Sequence, residues 1–384
     1  MGRDSFEIVV NGIKLVLIFL VMVQAVPILV WLERRGSAFI QNRFGPNRVG
    51  PLGLMQLLAD AVKFLFKEEF FPARGIKFLY YAAPVSALIP ATLAFASIPL
   101  GAPIKLDPFQ MFGQTWGPYT FLIQGYEIGI GIVFILGVSS LAAYTMLMAG
   151  WGSGNKYALL GALRASSQTI SYELALGLSV VGVILLYGTF NLTEMVLQQQ
   201  GPLSFHFWGS TIVAPSWIPN WGIFYQPLGA ILFYAATFAE SNRLPFDLPE
   251  GEAELVAGFH VEYGGFKMLL FFIGEYGHML VASGLMATFF FGGYELPCVT
   301  PDEVLAWLQS WMGVGNGTAI LNGLLHFAVF MAKVAVFLWI FIQVRWTLPR
   351  FRYDQLMDLG WKTMLPWALA NAIFTAVMIF VAHS

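Results

Sequence analysis

Long apolar runs broken by short polar stretches set the pattern of this chain. Eight runs, near 8–31, 79–100, 119–148, 164–187, 222–240, 266–293, 319–342 and 363–382, are long enough to cross a bilayer as helices. The pattern predicts an all-α polytopic membrane protein with eight transmembrane helices, forming a single membrane domain over residues 1–384. One further segment has helical periodicity without the length. From Gly53 to Lys67 the polar positions Gln56, Asp60, Lys63 and Lys67 recur at spacings of four, three and four. They draw one polar stripe, which predicts an amphipathic helix lying in the membrane interface after the first crossing. It belongs to a cytoplasmic segment, 32–78, entered through the Gly/Pro hinge GPNRVGPLG at 45–53. Its apolar face, with Leu57, Leu58, Ala61 and Phe64, is either a surface anchor or the wall of an entry for a lipid-soluble molecule.

Composition agrees with this reading. Hydrophobic residues make up 58% of the chain and charged residues 11%, against about 25% charged in soluble domains. The single cysteine, Cys298, excludes an in-chain disulfide and an iron–sulfur cluster held by this chain alone. There is no phosphate-binding glycine loop, zinc spacing or nucleophile elbow, so no metal and no resident cofactor are expected. His278 and His326 fall at similar depths on the sixth and seventh runs, a spacing open to haem ligation but without other support. Asp4 and Glu7 beside Arg3, and the length of the first run, do not fit a cleavable leader.

Orientation follows from the loops. Arg34, Arg35, Arg43, Arg48, Lys63, Lys67, Arg74 and Lys77 follow the first run, and Arg345, Arg350, Arg352 and Lys362 follow the seventh. The intervening loops of the same parity hold Lys156, Arg164, Arg243 and Lys267, and the others hold little basic charge. The basic loops face the cytoplasm, with both termini outside.

The most unusual stretch is the cytoplasmic loop 241–265 together with Glu240, which precedes it. Glu240, Asp247, Glu250, Glu252, Glu254 and Glu262 are acidic there, with Arg243 the only cation and Pro245, Pro249 and several glycines preventing one plain helix. Within the apolar runs lie Glu127, Glu173, Glu275 and Lys333. Such a charge costs at least about 2.5–3.5 kcal/mol unless it is paired, hydrated or neutralised. Either Lys333 forms a structural ion pair with a glutamate, or the carboxylates form a row of protonatable sites leading from the acidic loop into the membrane. The surplus of carboxylates over lysine favours the row.

Three segments carry a resemblance: WLERRGSAFIQNRFGPNRVGPLGLMQLLADAVKFLFKE (31–68), YALLGALRASSQTISYELALG (157–177) and AESNRLPFDLPEGEAELVAGFHVEYGGFKMLLFFIGEY (239–276). With the order of the runs, they resemble the H-type membrane subunit of respiratory complex I, the proton-pumping NADH:quinone oxidoreductase. The resemblance implies a multi-pass subunit of the bacterial plasma membrane that shelters a quinone, binds no redox centre itself, and meets peripheral-arm subunits carrying FMN and iron–sulfur clusters. Antiporter-like membrane subunits are the other implied partners; nucleic acid is not. It places Glu33, Arg34, Arg35, Asp60, Lys63, Glu240, Arg243, Phe246 and Asp247 around the quinone tunnel and cavity. It assigns Glu250, Glu252, Glu254, Glu262, Glu275, Glu173 and Glu127 to a proton path, with Arg164 and Tyr263 orienting the carboxylates. The alternative is the related membrane subunit of a proton-coupled hydrogenase or formate hydrogenlyase, which needs no quinone tunnel.

Overall fold

The computed structural model describes residues 3–111, 114–116, 118–207, 210–213, 215, 217–247 and 258–383. Among these, seven helical stretches are long and apolar enough to cross a membrane. They are α1 (Arg3–Ile40), α3 (Lys77–Ser97), the pair α4 (Gly131–Ser139) and α5 (Leu141–Gly152), α6 (Lys156–Tyr187), α9 (Gly265–Phe290), α11 (Asn316–Thr347), and α12 (Tyr353–Asp358) continuing through a π-turn into α13 (Leu365–His383). The helix after the first is α2 (Met55–Phe66), and a short helix, α7 (Leu192–Gln198), follows α6.

The run expected over 222–240 folds differently. A single turn, Gly222–Tyr225, ends at Gln226, and α8 (Pro227–Glu240) starts afresh. Pro227 has no N–H to continue the turn. The Gln226 side chain instead donates to Thr375 Oγ1 at 2.5 Å and accepts from Asn371 Nδ2 at 2.7 Å on α13. At 14 residues, α8 is about 21 Å long at about 1.5 Å per residue.

The third run is also shortened. Helix begins at Gly131 rather than near 119. The preceding chain is pinned to the end of α3 by Leu100 N donating to Ile123 O (3.0 Å) and Gly125 N donating to Ala96 O (2.8 Å), so its backbone bonds go across rather than along. Glu127 therefore sits in irregular chain, exposed, accepting from Asn191 Nδ2 at 3.0 Å. The long loops on this side carry small antiparallel ladders, Ile104–Leu106 with Tyr119–Phe121, Phe109–Met111 with Gln114–Trp116, and Ser204–Phe207 with Ser210–Val213. They also hold α10 (Pro301–Met312), whose start is a capping box of Thr300 and Glu303. Trp217 is exposed, whereas Trp221 packs on Phe291.

The bundle closes where small residues let backbones meet. A Cβ on Gly274 of α9 would lie 2.7 Å from Ala87 O of α3, and one on Gly161 of α6 would lie 2.7 Å from Gly258 Cα. Phe233, Phe289, Phe290, Phe330 and Phe341 fill the centre. The result is a mostly helical body in which a buried polar cluster joins α1, α9 and α11.

Candidate functional site

α1 turns one face inward through Met22, Val26 and Leu29, and Glu33 is the next position on that face. The periodicity that builds the core thus carries a carboxylate into it, at 7% exposure. Three groups meet it. Tyr276 Oη donates to Glu33 Oε2 at 2.5 Å, Arg243 Nη1 lies 3.4 Å from both oxygens, and Arg345 Nη1 pairs with Oε1. Arg243 also pairs through Nε with Glu275 Oε1 at 2.7 Å and lies over the Tyr276 ring at 4.1 Å. Two carboxylates and two guanidiniums balance, which is what permits burial. A lone charge there would cost several kcal/mol. Burial opposes the Arg243 cation, but Glu275, Tyr276 and Glu33 outweigh it and hold the guanidinium charged.

The start of the acidic loop is clamped beside this cluster. Gln168 Nε2 of α6 donates to Ala239 O (2.9 Å) and Phe246 O (2.7 Å). Phe246 is buried between Tyr172 and Phe351, and Asp247, also buried, pairs with Arg350 at 3.1 Å. Glu240, the last residue of α8, contacts the Ser139 hydroxyl and lies near enough to Glu173 for their charges to interact. Glu240 and Glu275 line one cavity of about 50 Å³, with Asn242, His260 and His278 among its walls. Small-ligand pockets begin near about 300 Å³, whereas one water needs only about 10–15 Å³. The cavity therefore suits water, not a ring. His260 is buried against Phe259, and burial lowers its pKa to about 3, so it is neutral.

Further along the loop, Glu262 accepts from Asn155 Nδ2 at 2.9 Å, and Tyr263 stacks on Tyr80 at 4.4 Å. Tyr263 thus anchors the loop to α3. Arg164 lies over the Tyr353 ring at 5.8 Å. On α2, Asp60 pairs with Arg34 at 2.6 Å, Lys63 is exposed, and Leu57, Ala61 and Phe64 are half-buried while Leu58 points outward. Arg35 covers the Trp31 ring at 5.1 Å. Glu250, Glu252 and Glu254 lie outside the described residues.

The structure therefore joins Glu33, Arg243 and Glu275 directly and Glu240 through the cavity, with Glu173 nearby. It does not bring Glu127 to them. Lys333 donates to the carbonyls of Phe291, Gly293 and Glu295, at the far end of α9 from Glu275, so it forms no ion pair with Glu173 or Glu275. His278 lines the cavity, while His326 packs on Tyr294 beyond the other end of α9. From His278 to Phe290 alone is about 18 Å at about 1.5 Å per residue, too far for the pair to share a haem. Sequence reasoning gave no site role to Tyr276, Arg345, Arg350 or Gln168. Tyr276 stands inside the 239–276 segment, directly after Glu275. The arginines counted only as topology signals, and Gln168 stands inside the 157–177 segment, four residues after Arg164.

Residues 13–376 match the family model described as NADH dehydrogenase. The chain is 72% identical over 382 residues to the H-type subunit of NADH-quinone oxidoreductase from Bdellovibrio bacteriovorus, covering 100% of this chain and 99% of that one. It is 42% identical over 382 residues to an H-type subunit of NADH-quinone oxidoreductase from Geobacter sulfurreducens, covering 99% and 100%. It is also 42% identical over 361 residues to NADH-quinone oxidoreductase subunit 8 of Rhodothermus marinus, covering 94% of each.

Proposed function

This chain belongs to the H-type subunit family of NADH-quinone oxidoreductase, complex I, and from that premise we propose that it walls the membrane side of the quinone site and couples quinone reduction to proton movement through buried carboxylates. The observation that carries the reading is the hollow shared by Glu240 and Glu275, one step from the Glu275–Arg243–Glu33 chain of contacts.

In this reading α8 is a short crossing, the eighth with the seven long ones, and the basic loops and 241–265 face the cytoplasm of a bacterium, with both termini opposite. α2 lies in the interface between the end of α1 and the start of α9. Trp31 Nε1 donates to Leu52 O at 3.1 Å just before α2, and Gly265 lies against Phe64 and Lys67 just after it. Quinone enters from lipid along this junction, past Leu57, Ala61 and Phe64. Its head group moves beyond this chain into a space walled by peripheral-arm subunits, which supply electrons through their own FMN and iron–sulfur clusters. Reduction takes up protons, and the loss or gain of a proton at Glu240 changes the field at Glu275 and Glu173, which titrate as a set. Charges a few ångströms apart in a low-dielectric interior interact strongly enough to pass that change on to antiporter-like subunits.

A photoreactive quinone in native membranes tests the entry route. Labelling should fall on α2 and the Trp31–Arg35 end of α1 and be competed by quinone. Labels confined to other subunits would remove the tunnel from this chain.

A further inference from the structure

A second polar cluster occupies the opposite end of the bundle from Glu33. Lys333 lies twelve residues before Arg345 on α11, which is about 18 Å along the axis. Its Nζ donates to Phe291 O (2.7 Å), Gly293 O (2.9 Å) and Glu295 O (2.5 Å), so all its donors are spent on one turn. Gly292 and Gly293 shape that turn with φ of +71° and +51°. A Cβ on them would lie 2.7 Å from Trp221 Nε1 and 2.6 Å from Val196 Cγ2 respectively, so only glycine fits. The turn delivers Glu295, 2% exposed, into the interior, where its carboxyl accepts from Gln200 Nε2 at 2.8 Å.

Gln200, whose amide holds this carboxyl, also lines a pocket of about 130 Å³, with Tyr294, Asn322, Lys105 and Asp302 among its other walls. Three buried polar atoms have no protein partner: Tyr294 Oη and Asn322 Oδ1, on residues that line the pocket, and His326 Nε2, on the ring packed against Tyr294. Their residues are 1%, 6% and 0% exposed. His326 Nδ1 lies 2.9 Å from Asn322 O, a carbonyl that can only accept, so Nδ1 carries the hydrogen and Nε2 is left as an acceptor. Buried polar atoms of this kind are satisfied by ordered water, and the pocket has room for several.

We propose that Glu295, with Tyr294, His326 and the hydrated pocket beside Asn322, is a second protonatable centre that exchanges protons with the aqueous phase at this end of the bundle. The step is a simple transfer. The Glu295 O–H bond breaks, a pocket water gains the proton as hydronium, and the proton leaves past Asp302; uptake is the reverse. Lys333, held by three carbonyls of the same turn, faces the carboxylate formed. The charged and titratable groups around Glu295 are Lys333 and His326 on α11, Asp302 on α10 and Lys105 across the pocket, with Glu127 acting on Tyr294. Burial outweighs the Gln200 hydrogen bond and Lys333 and raises the Glu295 pKa to about 7.

Infrared spectroscopy of the assembled complex, stepped through pH without turnover, tests this independently of quinone chemistry. The difference between the unchanged complex and Glu295→Gln should contain a protonated-carboxyl band that fades as pH passes about 7. That band should shift promptly in deuterated buffer. In Asn322→Leu, which fills the pocket, the band should remain and its deuterium shift should slow several-fold. No titrating band in the first comparison, or unchanged exchange in the second, would overturn the proposal. Should Glu295→Gln fail to assemble, Glu295→Asp replaces it: a displaced titrating band supports the assignment, and an undisplaced one overturns it.

Discussion

Arg243 Nε and Glu275 Oε1 meet at 2.7 Å, tying the start of the acidic loop to the middle of a long apolar helix. The same guanidinium touches Glu33 on α1, so one side chain holds three segments that are distant in sequence. This arrangement explains why a cation stands alone among carboxylates in 240–265. Its charge is used inward.

Replacing Arg243 therefore has a graded outcome. Arg243→Leu strands Glu33 and Glu275 beside Arg345 alone, and removing one partner of a buried pair costs about 3–5 kcal/mol. Assembled complex, measured by membrane content of the co-purifying subunits, should fall sharply. Arg243→Lys keeps the charge but not the planar fork. It should assemble and show a lowered quinone-reduction rate.

Gln168 makes the loop start a fixed part of the site. Its amide donates to Ala239 O and Phe246 O on either side of Arg243. Gln168→Leu takes the amide from Phe246 O, at about 1–3 kcal/mol, while Ala239 O keeps the Asn242 N–H at 3.3 Å. Limited proteolysis should cut the 240–247 stretch faster in this variant, while Ser167→Ala, half-buried on the same helix with its hydroxyl bonded to Leu163 O, should not change the rate.

His260 gives a pH signature. Its ordinary pKa of 6.5 falls to about 3 through burial, so it is neutral in the fold and protonated in the unlocked loop at mildly acid pH. The native state binds fewer protons, so stability is fully present above 6.5 and is lost as pH falls towards about 3. Loop cleavage by protease should accelerate through that window in the unchanged chain. His260→Phe should flatten the acid limb.

Much of this was legible in the sequence. The long helices, and a short helix after the first, follow from hydrophobic period; of the acidic loop, 248–257 lie outside the described residues. The misses have physical causes. The run at 222–240 is mostly apolar, but Pro227 and the polar hold on Gln226 divide it, and composition does not show which partner an amide finds. The run at 119–148 is apolar, but its first part bonds across to α3. Glu33 could be flagged by motif, whereas its partners Arg345 and Tyr276 come from other helices, and only the packing shows that they converge. The capping box at Thr300–Glu303 was a local signal that marks the start of α10.

The contact between α6 and the segment 258–260 has no room to give. A Cβ on Gly161 would lie 2.7 Å from backbone at Gly258, and such overpacking costs about 1–3 kcal/mol. Gly161→Ala should loosen the docked end of the acidic loop, read as faster hydrogen exchange at Phe259–Tyr263, whereas Gly177→Ala, with open space around it, should leave exchange unchanged.

The most direct test is a parallel measurement of quinone reduction and proton translocation in sealed vesicles, using Glu240→Gln complex normalised to assembled enzyme. Glutamine keeps the shape and the Ser139 contact but cannot exchange a proton. If carboxylates lining the cavity couple the two processes, both rates fall together, and the quinone-labelling pattern stays as in the unchanged complex. Near-normal rates of both would contradict the account.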